Sequence, residues 1–373
     1  MKRILVTGSN GFMGRNLVQS LSRKKEYKIL TFNRNNTLED LKSSLKEADF
    51  VYHLAAVNRT NNDKDFETVN VGLTESMVDI LMNMNKKVRI LMTSSIQVFL
   101  DNPYGKSKRD AEDILKSYND KMKAGIYIYR LPNVFGKWGK PNYNSVVSTF
   151  CYNITHGKDI WISDENKEIE LVYIDDVVKE FTRISETRDT DEVEFPDVKP
   201  TFKITVGELA KTIKAFHENR NQFIIPDFSD EFVKRLYPTY MSYLDEKDLS
   251  RSPETKTDER GSLLELIKSK QFGQIFISTT KPGKTRGNHY HDSKIEKFCL
   301  VKGEAVIKLR NLLTNESVSY NVSDRKIEVV DIPPGYTHSI QNTGDEDMIV
   351  LFWSNEIFDP QRADTYFERV ADE

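Results

Sequence analysis

Cysteine is nearly absent from this 373-residue chain: Cys151 and Cys299 are the whole complement. Two are too few for a disulfide framework and agree with a reducing, cytoplasmic setting. Long apolar runs are also missing; none approaches the roughly 20 residues needed to cross a bilayer, so no transmembrane helix is expected. The opening MKRILVTGSNG carries two basic residues but only about four apolar ones before a glycine turn, too few for a signal-peptide core. A cytoplasmic location is expected. Nor is there an excess of basic charge: Lys+Arg is 54 against Asp+Glu 57, so no overall positive field favours a nucleic-acid backbone. No internal repeat or low-complexity tract is found. Histidine is sparse as well, yet three of the six, His289, His291 and His338, fall in the last quarter.

The length predicts two domains. Up to about residue 175, strand-like runs alternate with amphipathic helical stretches: RILVT before a helix from Phe12, KILTF before one from Leu38, FVYHLA before one over Phe66 to Met84, and VRILMTS before one from Tyr104. IYIYRL precedes a helix from Asn144, and ELVYI one from Asp175. Such alternation predicts a doubly wound α/β fold with a parallel sheet. Residues 206–243 read as helical, and 246–262, charged and almost free of apolar residues, read as a linker. Beyond it, seven short strand-like runs from QIFIST to MIVLFW, separated by turns at about ten-residue spacing, predict an all-β sandwich or small barrel. The expected domains are therefore residues 1–245 and 263–373.

Two groups of residues carry chemistry. Gly8, Gly11 and Gly14 follow the first strand and open a helix, with Asn10, Phe12 and Met13 between them. Glycines there allow a tight turn, and the amides at the helix start bind a pyrophosphate. About 20 residues on, where an NAD enzyme places a carboxylate on the ribose, stand Asn33 and Arg34. An arginine pairs with a 2′-phosphate that an acid would repel, so NADP(H) is the expected cofactor. Tyr104 and Lys108 lie four residues apart, on one face of the predicted helix. The neighbouring ammonium stabilises a phenolate, which makes Tyr104 usable as proton donor to a carbonyl receiving a hydride. Thr93, Ser94 and Ser95 end a strand, where a hydroxyl can stand beside that tyrosine. In the β-rich half, His289 and His291 alternate on one strand, Glu296 lies on the next, and His338 follows a Pro-Pro-Gly turn. Three imidazoles and a carboxylate suit zinc or another first-row divalent metal.

TGSNGFMG, HLAA (53–56), NVGLT (70–74), TSS (93–95), YGKSK (104–108), RLPNVFG (130–136) and VYIDDV (172–177) occur in the order seen in extended short-chain dehydrogenases/reductases acting on nucleotide sugars, which residues 1–245 resemble. The resemblance implies Ser95, Tyr104 and Lys108 as the catalytic set, with Ser94 the alternative to Ser95. It also implies Leu54, Ala55 and Ala56 at the cofactor and Asn133 at the nicotinamide and substrate end. Departures lie on the substrate side. Tyr104 lies only nine positions after Ser95, Leu73 replaces a glycine, and Val98-Phe99-Leu100 replaces VYG.

The late histidines lie in a segment resembling the cupin family, with Ile327 in place of the glycine opening its second motif. Residues 258–289 also resemble its sugar-nucleotide 3,5-epimerases, with Arg286 expected on the substrate. The whole chain resembles the bifunctional reductase-cupin enzymes of bacterial capsular polysaccharide synthesis, in the UDP-N-acetyl-L-fucosamine branch. That resemblance implies C3 epimerisation of UDP-2-acetamido-2,6-dideoxy-L-arabino-hexos-4-ulose and NADPH reduction at C4 to UDP-2-acetamido-2,6-dideoxy-L-talose, by a homodimer without nucleic-acid or membrane partners. Two alternatives stay open: a ketoreductase whose cupin domain only assembles the protein, and an NADP(H)-sensing regulator.

Overall fold

The computed structural model describes residues 1–187 and 190–370. The chain forms two compact units, Met1–Ile213 with Arg235–Leu244, and Lys214–Lys234 with the described residues from Asp245 onward.

In the first unit the β-branched runs form β1 (Lys2–Thr7), β2 (Tyr27–Phe32), β3 (Phe50–His53), β4 (Arg89–Ser95), β5 (Ile126–Leu131), β6 (Asn133–Phe135), β7 (Glu168–Tyr173), β8 (Val193–Glu194) and β9 (Thr201–Thr205). The intervening helices are α1 (Phe12–Leu21), α2 (Leu38–Glu47), α3 (Gly72–Asn83), α4 (Pro103–Met122), α5 (Val146–Thr155) and α6 (Ile174–Glu186); α7 (Val206–Asn221) and α8 (Glu231–Met241) follow. Six strands make one parallel sheet in the order β2-β1-β3-β4-β5-β8. Strand periodicity divides its side chains between two cores. Ile4, Val6, Phe50 and Tyr52 pack with α1 and α6 residues, whereas Leu5 and Val51 pack with residues of α2, α3 and α4. The chain leaves β1 for β2 on one side and returns to β3 on the other. The crevice beyond the carboxyl ends of β1 and β3 is thus the position where such sheets bind ligands.

Local chemistry sets the helix starts. Thr37 and Asp40 form a reciprocal capping box at α2. Asn102 caps α4 through the Gly105 amide and Pro103 occupies its first turn, so that helix begins one residue before Tyr104. The Ser145 cap places the start of α5 at Val146 rather than Asn144. The stretch expected as one helix over Phe66 to Met84 is a π-helical segment, Phe66–Val71, running into α3. There the buried Asn70 side chain bridges both backbone groups of Val57 and the Ser107 hydroxyl.

The second unit is β-rich: β10 (Thr255–Asp258), β11 (Gly261–Ser269), β12 (Gly273–Thr280), β13 (Thr285–Tyr290), β14 (Glu296–Lys302), β15 (Glu304–Asn311), β16 (Ser317–Ser323), β17 (Val329–Ile332), β18 (Tyr336–Asn342), β19 (Met348–Ser354) and β20 (Tyr366–Phe367). They pair as two sheets, β10-β11-β12-β19-β14-β17 and β16-β15-β18-β13-β20. Phe298, Ile332, Val350 and Phe352 of the first sheet share a core with Ile307, Leu309 and Ile340 of the second. No closed ring of strands is found among the described residues; the sandwich or barrel expected from the turn spacing takes the form of two packed layers. Within the stretch expected as a linker, Thr255–Asp258 forms β10 against β11. Its four residues are exposed on a sheet edge, which explains their polar composition. Among the described residues no helix is long and apolar enough to cross a membrane.

Candidate active site and candidate metal centre

A cleft of about 1100 Å³ lies in the first unit. Its floor is the turn between β1 and α1. Gly8 takes φ +68°, and a Cβ there would stand 2.7 Å from the Ala55 Cα; a Cβ on Gly14 would stand 2.2 Å from the Gly8 carbonyl oxygen. Both positions therefore require glycine. The Gly11 cap of α1 has no side-chain hydrogen bond and the first turn has no acid, which leaves the leading amides free for an anion. Asn10, Phe12, Met13, Leu54 and Ala56 line this end, while Ala55 backs Gly8 from behind. Asn33 and Arg34 do not line it. The Asn33 side-chain oxygen accepts from the Ser9 hydroxyl at 3.0 Å and the Asn10 amide at 2.8 Å, so it clamps the glycine turn. Arg34 is exposed.

The other end of the cleft brings Ser95, Tyr104, Lys108 and Asn133 together. Ser95 ends β4; its hydroxyl accepts from the Gln97 amide, and Ser95 lines the cleft together with Tyr104. Burial raises the Tyr104 pKa, and the neighbouring Ser95 hydroxyl opposes it. Ser94 points elsewhere, donating to Glu112 at 2.6 Å. Lys108 is buried, and desolvation brings its ammonium down to about 8 despite the opposing charge of Glu112. Arg130 in turn grips Glu112 through two bonds of 3.1 and 2.6 Å. The Ser94–Glu112–Arg130 network escaped the sequence reading, although Glu112 lies one helical turn beyond Lys108. Asn133 donates to the Glu170 carbonyl at 3.1 Å. His53 bonds Thr7 and Thr74 through its two nitrogens, and burial drives it down to about 3, so it stays neutral and structural.

The eight-residue span between Ser95 and Tyr104 is tightly held. Ile96–Phe99 is a 3₁₀ turn, the Arg109 guanidinium donates to the carbonyls of Val98 and Leu100, and a Cβ on Gly105 would stand 2.3 Å from the Gln97 carbonyl.

In the second unit the four expected metal-ligating side chains converge. One ligand atom each from His289, His291, Glu296 and His338 lies within 4.8 Å of all the others. A bulge between Gly287 and His289 re-aims β13, so that His289 stands opposite His338 of β18. The Nε2 atoms of His291 and His338 each lie 3.4 Å from one Glu296 oxygen. Both Nε2 atoms are buried without a hydrogen-bond partner. Buried polar atoms ordinarily have partners, and a cation held by all four groups would supply one here. The His291 Nδ1 faces the Asp364 carbonyl at 2.5 Å and the His338 Nδ1 that of Tyr336 at 3.4 Å, which leaves Nε2 as the lone-pair nitrogen. Burial, then the neighbouring His338, brings His289 down to about 4. Arg286 is held apart from this cluster's contacts, donating to the Thr280 hydroxyl and the Thr279 carbonyl and lying 3.9 Å from Asp258.

A glycine cradle with free helix-start amides, beside a Ser-Tyr-Lys set at the strand ends, defines a nicotinamide-dependent enzyme of the short-chain reductase class. Residues 4–195 match the NAD dependent epimerase/dehydratase family, and residues 256–366 match the polysaccharide biosynthesis C-terminal domain. The chain belongs to the NAD dependent epimerase/dehydratase family. It is 40% identical over 364 residues to the UDP-2-acetamido-2,6-beta-L-arabino-hexul-4-ose reductase of Pseudomonas aeruginosa, covering 98% of each chain. Among solved structures it is similar to the capsular polysaccharide assembling protein CapF from Staphylococcus aureus, with a TM-score of 0.91 at 45% identity over 98% of this chain and 100% of that one. A structure of CapF with the inhibitor 3-isopropenyl-tropolone gives 0.87 at 41% over 99% and 100%.

Proposed function

We propose that the first unit is an NADPH-dependent 4-ketoreductase of a UDP-sugar and that the second is a metal-binding, cupin-like epimerase acting at C3 of the same sugar. The substrate in this reading is UDP-2-acetamido-2,6-dideoxy-L-arabino-hexos-4-ulose, and the product is the L-talose epimer reduced at C4. The observation that carries it is the shared cleft: the glycine cradle and the Ser95–Tyr104–Lys108 set line one cavity. The similarity to a reductase of a UDP-linked 4-keto sugar supports the substrate class. The turn at residues 8–14 would hold NADPH, which would supply the hydride for C4. Tyr104 gives its phenolic proton to the C4 oxygen as that hydride arrives, Ser95 holds the same oxygen, and the Lys108 ammonium offsets the charge left on the phenol. Preference for NADPH over NADH rests on Arg34, exposed one residue past the Asn33 clamp.

The C4 ketone acidifies the C3 proton, so an acid/base site can invert C3 through an enediolate. His289, His291, Glu296 and His338 would hold a divalent ion, zinc by the character of the donors, and such an ion stabilises negative charge on sugar oxygens. Reduction at C4 removes the acidity and traps the epimer. The test is incubation of the full chain with the 4-keto UDP-sugar in D₂O, with and without NADPH, following the C3 proton by NMR. Deuterium at C3 of the product is expected. Turnover to an alcohol that keeps its C3 proton would reject the epimerase half, and absence of NADPH consumption would reject the reductase half.

The buried Lys108 sets a pH dependence. Desolvation lowers its pKa from 10.5 to about 8, so the ammonium is present below that value and lost above it. The reduction rate at saturating substrate is therefore expected to decline as pH rises through about 8. A rate that climbs steadily to pH 10 would sink the assigned role of the charge.

A further inference from the structure

The candidate metal centre is contacted by a segment that follows its last histidine in the chain. Residues 364–370 pass over β13, the turn after it, and β18. The Asp364 carboxylate accepts the amides of Asp292, Ser293 and Lys294 at 2.9, 2.8 and 2.8 Å, and the Ser293 hydroxyl at 2.9 Å. Those three residues open the turn that carries the chain from His291 to Glu296. The carbonyl of the same residue faces the His291 Nδ1. Just beyond, β20 pairs with β13, placing Phe367 opposite His289 and Tyr366 opposite Tyr290. The Thr337 hydroxyl, next to His338, donates to the Glu368 carbonyl. Arg310 fastens the far end through the Glu368 carboxylate and the carbonyls of Arg369 and Val370.

We propose that residues 364–370 form a strap that assembles the metal centre, and that Asp364 is its positioning residue. This rests on the reading that the His₃Glu cluster takes a divalent cation. Asp364 acts twice. Its carboxylate gathers three successive amides into one turn geometry, which sets the separation of His291 from Glu296. Its carbonyl accepts the hydrogen bond of the His291 Nδ1–H, so the lone pair stays on the nitrogen that faces Glu296; partners of this kind orient a ligand and raise its basicity. The hold is made by side chains more than by the ladder, since β20 is only two residues long. Asp364 therefore contributes to metal affinity without touching the metal.

The test uses the full chain, stripped by a chelator and titrated with Co²⁺ while its visible d–d absorption is followed. Wild type is expected to saturate. Asp364→Ala is expected to need about 10–100-fold more Co²⁺, and Asp364→Asn, which keeps one acceptor oxygen, to fall between. A purely structural role would lower the melting temperature of the metal-free protein and leave Co²⁺ affinity unchanged, and that result would overturn the strap. If Asp364→Ala does not fold, wild-type affinity in Asp364→Asn overturns it equally. Failure of wild type to bind Co²⁺ removes the metal reading itself, and the strap with it.

Discussion

Replacing Tyr104 by Phe is expected to lower the rate of NADPH consumption with the 4-keto UDP-sugar by about 10²–10⁴-fold, the usual contribution of a positioned proton donor. The ring is packed against Phe66, with centroids 5.8 Å apart, so the phenylalanine fills the same space and only the hydroxyl is lost. The glycine cradle is unaffected, and NADPH binding measured by fluorescence is expected to stay within a few-fold of wild type. The same variant separates the two proposed activities. If the second unit epimerises independently, Tyr104→Phe still exchanges the C3 proton with D₂O while making no alcohol. Loss of both activities in a folded variant would assign exchange to the reductase cleft and leave the second unit without chemistry. A variant that reduces at the wild-type rate would end the role assigned to Tyr104.

The second large effect is expected from emptying the His₃Glu cluster. Without a cation, the Nε2 atoms of His291 and His338 are left buried and unpartnered, and such groups destabilise a fold by about 1–3 kcal/mol each. A metal at a hundredfold excess over its Kd stabilises by about 2.7 kcal/mol, which for a unit of this size corresponds to about 5–10 °C. Chelation is expected to lower the melting transition of the second unit by that amount, and added Zn²⁺ to restore it. His338→Ala divides the roles. Lost C3 exchange with an unchanged melting temperature assigns chemistry to the metal; a large drop in melting temperature assigns it to holding the two sheets together. A transition that ignores both chelator and Zn²⁺ would reject the metal.

The two sites differ in how far they could be read before the structure. The YxxxK spacing placed Tyr104 and Lys108 on one helical turn, because the rise of an α-helix makes that a local property. The choice between Ser94 and Ser95 was not local. Adjacent residues on a strand point to opposite faces, and only the position of α4 behind β4 shows that Ser94 is turned to Glu112 while Ser95 faces the tyrosine. Asn33 shows the same limit: its position matched a ribose contact, yet its side chain holds the glycine turn. The convergence of the His₃Glu side chains was legible because three of the four lie within eight residues of one another, whereas Asp364, some seventy residues on, carried no signal of its own.

The alternation of strands and helices, the glycine turn, the helical pairing of tyrosine and lysine, and the three histidines and one glutamate that converge in the second unit were all readable from the amino-acid order. All of these follow from short-range periodicity and from side-chain chemistry. Tertiary packing was needed to see that Ser94 is turned to Glu112, that Glu112 pairs with Arg130 one turn beyond Lys108, that the charged stretch before residue 262 contains an edge strand, and that Asp364 bonds the turn after His291. Those facts depend on contacts between residues distant along the chain, which no local pattern encodes. They are fixed when the sheets pack and buried polar groups must find partners.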